Sequence, residues 1–426
     1  MRDRLQEYDP EVFDAIVGEE RRQQTELELV PSENYTYPEV LAALGTVFTN
    51  KYSEGYPGNR YYAGQTYTDA IERLACARAC ELFGAEYANV QALSGAPMNQ
   101  AVYYGLLEPG DSILAMDLTH GGHLTHGSPV SHMSRVFQFH RYKADASGRI
   151  DFDEVLRIAE EVRPKLVLCG HSSYPRELDY AGFKRVADAV GAWTMADVSH
   201  LGGLIAAGQL ANPLAHGFDV MTTTTHKSLR GPRGGLILCR SEFGKRMDKS
   251  IFPGLQGGPH MHTIAAICVA LKKATEPDFR EYAVRTLSNA QVLAGRLIER
   301  GAELVTGGTE NHLIVVNTVA SFGVEGRAGQ TMLEDVGLAT NKQLIPDDPL
   351  PAQRASGVRL GTPAATTRGM GAAEMVAVAD LSVRALQNKG DADETQAIRR
   401  EVQALCSRFP APGPFTPAHS RAGVNP

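Results

Sequence analysis

No apolar run in the 426-residue chain approaches the roughly 20 residues that span a bilayer. The opening MRDRLQEYDPEVFDAI has no apolar core of the kind found in secretory signals. The expectation is therefore a cytoplasmic protein that does not sit in a membrane. Positive charge is also short: 42 Lys and Arg against 49 Asp and Glu leave a net charge of -7. Such a balance gives neither nucleic acid nor an anionic membrane surface a reason to bind. Cysteine is sparse. The six residues, Cys76, Cys80, Cys169, Cys239, Cys268 and Cys406, are scattered and mostly in apolar settings, as thiols of a cytosolic protein would be. Cys76 and Cys80 could share a helix face, but no second ligand pair follows, so no metal site is expected there. No internal repeat is present. What remains is an ordinary globular composition, 43% hydrophobic and 21% charged, in a chain long enough for two or three domains.

The most informative stretch is DVMTTTTHKSLRGPRGG, residues 219–235. Val220 to Thr225 is apolar and then β-branched, which predicts a buried strand. It delivers His226 and Lys227 into a loop that Gly231, Pro232, Gly234 and Gly235 keep from continuing as strand or helix. A lysine placed there, with His226, Arg230 and Arg233 nearby, can have its pKa lowered by desolvation and by neighbouring cations. It can then form a Schiff base with an aldehyde.

The rest of the chain alternates. Residues 1–25 are charged and partly periodic and predict a helical arm. Pro31-Ser32-Glu33-Asn34 breaks that pattern ahead of a helix near Pro38. Residues 51–64, KYSEGYPGNRYYAG, form a loop whose tyrosines would expose much ring surface unless they lined a site or an interface. From Thr68 onward helices and strands interchange: a helix to Gly84, strands at YANVQAL, DSILAMD, KLVLCG and WTMAD, and helices at SGAPMNQAVYYGLL and GFKRVADAVGA. This order predicts an α/β fold, a mostly parallel sheet covered by helices, spanning 26–275. A smaller α+β domain is expected at 276–409 and a disordered, Pro-rich tail at 410–426.

In parallel sheets ligands bind beyond the carboxyl ends of the strands. Ser94-Gly95-Ala96, His123, Asp197 with His200, and Lys227 all fall there. Ser94 and Gly95 open a helix whose N–H groups suit a phosphate. His120, His123 and His126 hint at a metal, but no nearby cysteine or carboxylate completes the set. Asp197 would be costly to bury without a cationic partner, which a protonated pyridine nitrogen would supply. Arg359, in VRLGTP, could present a guanidinium to a carboxylate from a rigid strand; an edge-strand surface arginine is the bland alternative.

Taken together, SENYT, NKYSEGYPGNRYY, HGGHLTHGSP, DVSH, TTTTHKSLRGPRGG, FPGLQGGP and GVRLGTPAATTRG resemble the serine hydroxymethyltransferase family. The likeness runs from about Leu29 to Phe409. It implies the fold of the pyridoxal-phosphate transferases, pyridoxal 5'-phosphate as cofactor, and a homodimer, or a tetramer, with shared active sites. By position it implies that Lys227 holds the cofactor as a Schiff base, that Asp197 pairs with the ring nitrogen and that His123 stacks on the ring. Ser172 and His200 would lie on the phenolic side. Ser94, Gly95 and His226 would contact the cofactor, joined across the dimer by Tyr52, Gly257 and Gly258. Arg359, with Ser32, would take the amino-acid carboxylate. Glu54, with Tyr62, would handle the proton in Cα–Cβ cleavage.

The sequence departs from that family in one region above all. Gln343 stands where an asparagine contacts folate, Pro351-Ala352-Gln353-Arg354-Ala355 replaces a usual Ser-Pro-Phe-Val-Thr, and Ala63 and Ala96 replace a glycine and a serine. Leu118, Gly122 and Leu124 of the folate site are retained. These departures favour a folate-independent aldolase or transaldolase that cleaves threonine or a similar β-hydroxy amino acid. The alternative is a tetrahydrofolate-dependent transferase acting on serine or α-methylserine. A non-catalytic scaffold is a third reading, which Lys227 and Asp197 argue against.

Overall fold

The computed structural model describes residues 2–145 and 147–413. Its centre is a seven-stranded sheet. In spatial order the strands are Tyr87–Asn89, Gly235–Cys239, Val220–Thr224, Trp193–Asp197, Leu166–Gly170, Ser112–Met116 and Gln138–Tyr142. Six run parallel, and Gly235–Cys239 runs antiparallel to both of its neighbours. The α/β expectation is met.

The sequence explains why both faces are covered. Along Ile113-Leu114-Ala115-Met116, Leu114 and Met116 join one core while Ile113 and Ala115 join the other. Leu166 to Cys169 and Leu236 to Cys239 alternate in the same way. A strand apolar at every position has to be buried on both sides. The helix Thr66–Phe83 stops at Gly84, whose φ of 64° suits glycine and whose N–H bonds to Cys80 O.

A second, three-stranded antiparallel sheet has Gly357–Gly361 in the middle, between Leu313–Asn317 and Asn341–Gln343. Its own core includes Leu27 and Leu29, because Leu27–Glu28 pairs in parallel with Leu338–Ala339. This carries the segment that leads to Ser32 onto the second sheet. Near the N-terminus, Arg2–Tyr8 and Pro10–Thr25 are helices. From residue 414 on, the expected tail lies outside the described residues. Ala411, which the sequence places in that tail, is buried and exchanges two hydrogen bonds with the Gln24 amide.

Several elements escape the sequence reading, the antiparallel strand Gly235–Cys239 and the helices Ser241–Lys249 and Gly326–Asp335 among them. Gln138–Tyr142 (QFHRY) is the edge strand of the large sheet and only Tyr142 is fully buried, so its polar pattern hides it. The helices Phe152–Val162 and Ala392–Arg408 follow it and close the chain. Both are strongly charged on their outer faces.

Candidate active site

The carboxyl ends of the parallel strands bring the predicted groups together. Gly170 sits beside Asp197 and Asp197 beside Thr222 in the strand register. Lys227 follows two residues after the buried Thr225. The loop behind it closes on itself: Thr225 Oγ1 donates to Pro232 O at 2.6 Å and Gly231 N to Thr225 O at 2.7 Å. Asn34, from SENYT, donates to Lys227 O at 3.3 Å and to Tyr282 Oη at 2.8 Å. Two distant motifs thus fix the lysine backbone.

The Lys227 side chain is held at a pKa of about 8. Burial is the main cause, Arg359 and Arg233 add to it, and Asp197 opposes it. The sequence named Arg230 among the neighbouring cations, and the structure corrects this. Arg230, at φ 59°, turns away to cover the Tyr37 ring at 4.1 Å and to donate to Tyr35 O. The cation that replaces it is Arg359, from the other sheet.

Asp197 is 7% exposed. One oxygen accepts from Asn99 Nδ2 at 2.7 Å and lies 3.2 Å from His126 Nε2, and the other accepts from Ser199 N at 3.0 Å and Ser199 Oγ at 2.6 Å. Burial pushes its pKa up, but the His126 hydrogen bond and the nearby positive Lys227 outweigh burial. The carboxylate stays well below its usual range and is a permanent anion at the base of the site. His123, His126 and Asp197 also bring their donor atoms within 4.8 Å of one another. The expectation that no carboxylate could complete the histidine set is therefore corrected: Asp197 comes from a strand some 70 residues away.

His123 is half-buried, with Nδ1 2.8 Å from Thr125 Oγ1. Burial lowers its pKa to about 4, so its ring is a neutral, flat surface at physiological pH. Ser94 caps the 12-residue helix Gly95–Leu106 in an extended conformation without using its hydroxyl on the helix. A Cβ on Gly95 would stand 3.0 Å from Thr224 Cγ2, so a larger residue would have to push that methyl aside where this turn meets the strand. His226 is held neutral by burial, at about 3, and its Nδ1 is buried without a partner.

Arg359 is 9% exposed and lies on the middle strand of the second sheet, not on an edge strand. Its Nε donates to Asn341 Oδ1 at 3.0 Å and one terminal nitrogen donates to Ser172 O. Burial lowers its pKa to about 10, which leaves it charged. Ser172 N in turn donates to Gly121 O at 2.7 Å, so Arg359 is locked to the large sheet. Ser32 sits in a turn pressed on the end of the same strand: a Cβ at Gly361 would stand 2.7 Å from Pro31 Cα. His200 is buried and stacks on His312 at 5.6 Å, with Nδ1 to Nε2 at 3.4 Å.

Tyr52, Glu54, Tyr62, Gly257 and Gly258 gather elsewhere. The Tyr52 and Tyr62 rings meet edge to face at 5.1 Å, and Tyr62 Oη lies 3.5 Å from Glu54 Oε2. A Cβ on Gly258 would stand 3.5 Å from the Tyr52 ring, and one on Gly257 the same distance from Glu54. Among the described residues no hydrogen bond joins this group to the Lys227 group.

Sequence reasoning missed Asn99, Asn341 and His312, and it gave His126 only as a metal-ligand candidate. Asn99 stands one helical turn after Gly95 and so faces the same way, and His126 was inside a motif already singled out. Asn341 and His312 gave no local signal.

Pyridoxal phosphate needs an amine for its aldehyde, an anion for its ring nitrogen, a flat partner and phosphate donors. Lys227, Asp197, His123 and the Ser94 turn have those chemistries, and the unpaired buried nitrogen of His226 asks for a polar ligand. Fold and site together define a pyridoxal-phosphate-dependent enzyme of the transferase class. The serine hydroxymethyltransferase family model matches residues 5–382. A serine hydroxymethyltransferase of Synechococcus sp. (strain JA-3-3Ab) is 49% identical over 419 residues, covering 95% of this chain and 96% of that protein. One from Desulfotalea psychrophila is 49% identical over 409 residues, covering 96% of each. The chain belongs to the serine hydroxymethyltransferase family.

These relatives correct the preference for a folate-independent aldolase or transaldolase, because proteins this similar over their whole length carry the hydroxymethyltransferase name. The departures that suggested otherwise lie mainly in residues 343–355. That loop is ordered by its own contacts: Asp348 accepts from Ile345 N, Leu350 N and Ser356 N, and Arg354 pairs with Glu325. Gly122, in contrast, is required by packing, since a Cβ there would collide with the Met116 and Asp117 backbone. Its retention therefore says little about folate.

Proposed function

We propose that the protein moves the hydroxymethyl carbon of L-serine to tetrahydrofolate and releases glycine. The observation that carries this reading is the juxtaposition of an amine of lowered basicity, a buried anion and a buried guanidinium at one end of the sheet. In this reading Lys227 would hold the cofactor through its aldehyde, and Asp197 would keep the proton on the ring nitrogen. His123 stacks on the ring, with Ser172 and His200 on its phenolic side. Ser94, Gly95 and His226 hold the phosphate end, and Arg359 with Ser32 binds the serine carboxylate. The cofactor, once bound, acts as a sink for the electron pair left when Cα–Cβ breaks.

The same reading makes the enzyme a homodimer, in which Tyr52, Gly257 and Gly258 of one copy complete the phosphate site of the other. Glu54, helped by Tyr62, would then take the proton of the serine hydroxyl across the interface. Three exposed tyrosines beside a carboxylate support this, since isolated chains rarely leave such a patch uncovered. The large sheet region, 26–275, and the smaller one, 276–409, are the proposed domains. The six cysteines are all free thiols, which suits a cytoplasmic location. No helix among the described residues is long and apolar enough to cross a membrane.

The test is glycine formation from L-serine with and without tetrahydrofolate, with L-threonine run in parallel. Strong folate dependence with serine preferred is expected. Equal turnover of threonine without folate would overturn the reading.

A further inference from the structure

His171 follows the strand Leu166–Gly170 directly and is 5% exposed. Gly170, at φ 138°, lies so close to the Asp197 backbone that no side chain fits there. Ser172 and Ser173 both donate to Gly121 O, at 2.7 and 3.3 Å, and Ser172 O accepts from Arg359. The segment is therefore fixed at both ends between Asp197, the Gly121 turn and Arg359. His171 has no freedom to move away. Its ring stacks near His200 at 6.4 Å and meets Tyr174 edge-on at 5.7 Å.

Both ring nitrogens of His171 are buried and neither has a hydrogen-bond partner. Among the described residues it is the one imidazole buried in this state. His126 and His123 use ring nitrogens on Asp197 and Thr125, and His200 and His312 face each other. A ring needed only for packing would be served as well by a phenyl group, without two polar atoms to desolvate. The groups whose charges reach it are Asp197, His126, Lys227 and Arg359, together with the neighbouring His200 and His312. Of these, Asp197, Lys227, Arg359 and His200 are the groups assigned to cofactor or substrate in the proposed reading.

We propose that His171 is a further ligand-contacting residue of this site: one ring nitrogen hydrogen-bonds, directly or across one held water, to an oxygen of the bound cofactor–substrate pair. The oxygen is either the cofactor's phenolic oxygen, towards which the adjacent Ser172 is placed, or the substrate carboxylate at Arg359. A neutral imidazole carries one N–H and one lone pair, and an anionic oxygen in a dry site makes a strong partner for the former. This inference rests on the pyridoxal-phosphate reading of the site.

The experiment uses the full chain labelled with ¹⁵N-histidine, with the His171 signals identified by their loss in His171→Phe. Adding pyridoxal phosphate to cofactor-free protein is expected to shift those signals, which would assign the phenolic oxygen. A shift only when L-serine is added to the loaded protein would assign the carboxylate. No shift in either step overturns the proposal. In parallel, His171→Phe should weaken binding of the assigned ligand about tenfold, and His171→Gln, which keeps a donor and an acceptor, should recover part of that loss. Unchanged binding of both ligands in His171→Phe also overturns it. If His171→Phe does not fold, His171→Gln supplies the assignment. Failure of the wild-type protein to develop a visible absorbance band with pyridoxal phosphate would count against the functional reading, not against His171 alone.

Discussion

Asp197 and Glu54 are both carboxylates of the proposed chemistry, and the chain builds their surroundings in opposite ways. Asp197 is enclosed by four donor atoms from Asn99, His126 and Ser199. Glu54 is half-buried, lies 3.5 Å from Tyr62 Oη and interacts with the Tyr52 hydroxyl, on a hairpin where Tyr52, Tyr61 and Tyr62 are 57, 71 and 48% exposed. The back of that hairpin is fastened: Arg60 pairs with Asp69 and Glu72 and donates to Ser53 O and Gly55 O. A group whose charge must not change is enclosed by its own chain. In the proposed chemistry Glu54 would gain and lose a proton beside the substrate, and its exposed mount would suit cover by a second copy.

The largest effect expected is that of Lys227→Ala, which should abolish the visible band of the bound cofactor and lower turnover by about 10³-fold or more. This variant also sharpens the comparison. If Glu54 serves a second copy, mixing Lys227→Ala with Glu54→Gln creates dimers in which one site has both groups intact. Random mixing should then restore about a quarter of wild-type activity. No recovery after unfolding and refolding the mixture together would mean that each chain uses its own Glu54. Next in size, Asp197→Asn is expected to cost about 10²- to 10³-fold in turnover. It should also cost about 1–3 kcal/mol in stability, because an amide N–H would face existing donors. Glu54→Gln should cost about 10²-fold in turnover with the thermal midpoint unchanged. Equal destabilisation by both substitutions would break the contrast.

Much of this was legible in the residues. The strands Val220–Thr224, Trp193–Asp197 and Leu166–Gly170 declare themselves by unbroken apolar and β-branched runs, and their carboxyl ends place Asp197 and Lys227. Arg359 was legible as a residue but not as a neighbour of Lys227. That charge effect depends on two sheets meeting, with Ser172 O and Asn341 anchoring Arg359. Arg230 misled for the complementary reason. Three residues from the lysine in sequence, it leaves the site because a positive φ and the Tyr37 ring take its side chain elsewhere. The folate question misled further. Substitutions in one loop were weighed by their departure from a pattern, whereas the loop keeps its own hydrogen bonds and the chain as a whole stays close to its relatives.

The Arg359 contact gives a prediction of intermediate size. With Lys227 at about 8, the neutral amine becomes the minor form as pH falls below that value. Capture of pyridoxal phosphate by the cofactor-free protein should therefore slow about tenfold per pH unit below a midpoint near 8. The Arg359 charge lowers the lysine pKa, so Arg359→Met should move the midpoint upward, measured by absorbance in stopped flow. A downward or absent shift would show that Arg359 does not act on Lys227 through charge.

The smallest expected effect concerns the loop that carries the departures. Asp347, at φ 50°, lies 2.9 Å from Lys143 Nζ and 3.2 Å from the buried His120 Nε2. These contacts tie the loop to the large sheet beside Gly121. The Lys143 pair is open to water, where such pairs contribute at most about 1 kcal/mol. Asp347→Ala should therefore leave serine turnover within about twofold, and Asp347→Gly should be better tolerated than Asp347→Ala because it removes the strain at positive φ. If the loop covers a bound folate, any loss in Asp347→Ala should appear in the KM for tetrahydrofolate and spare that for serine. A loss confined to serine would place the loop over the amino-acid pocket, on the Arg359 side of the site.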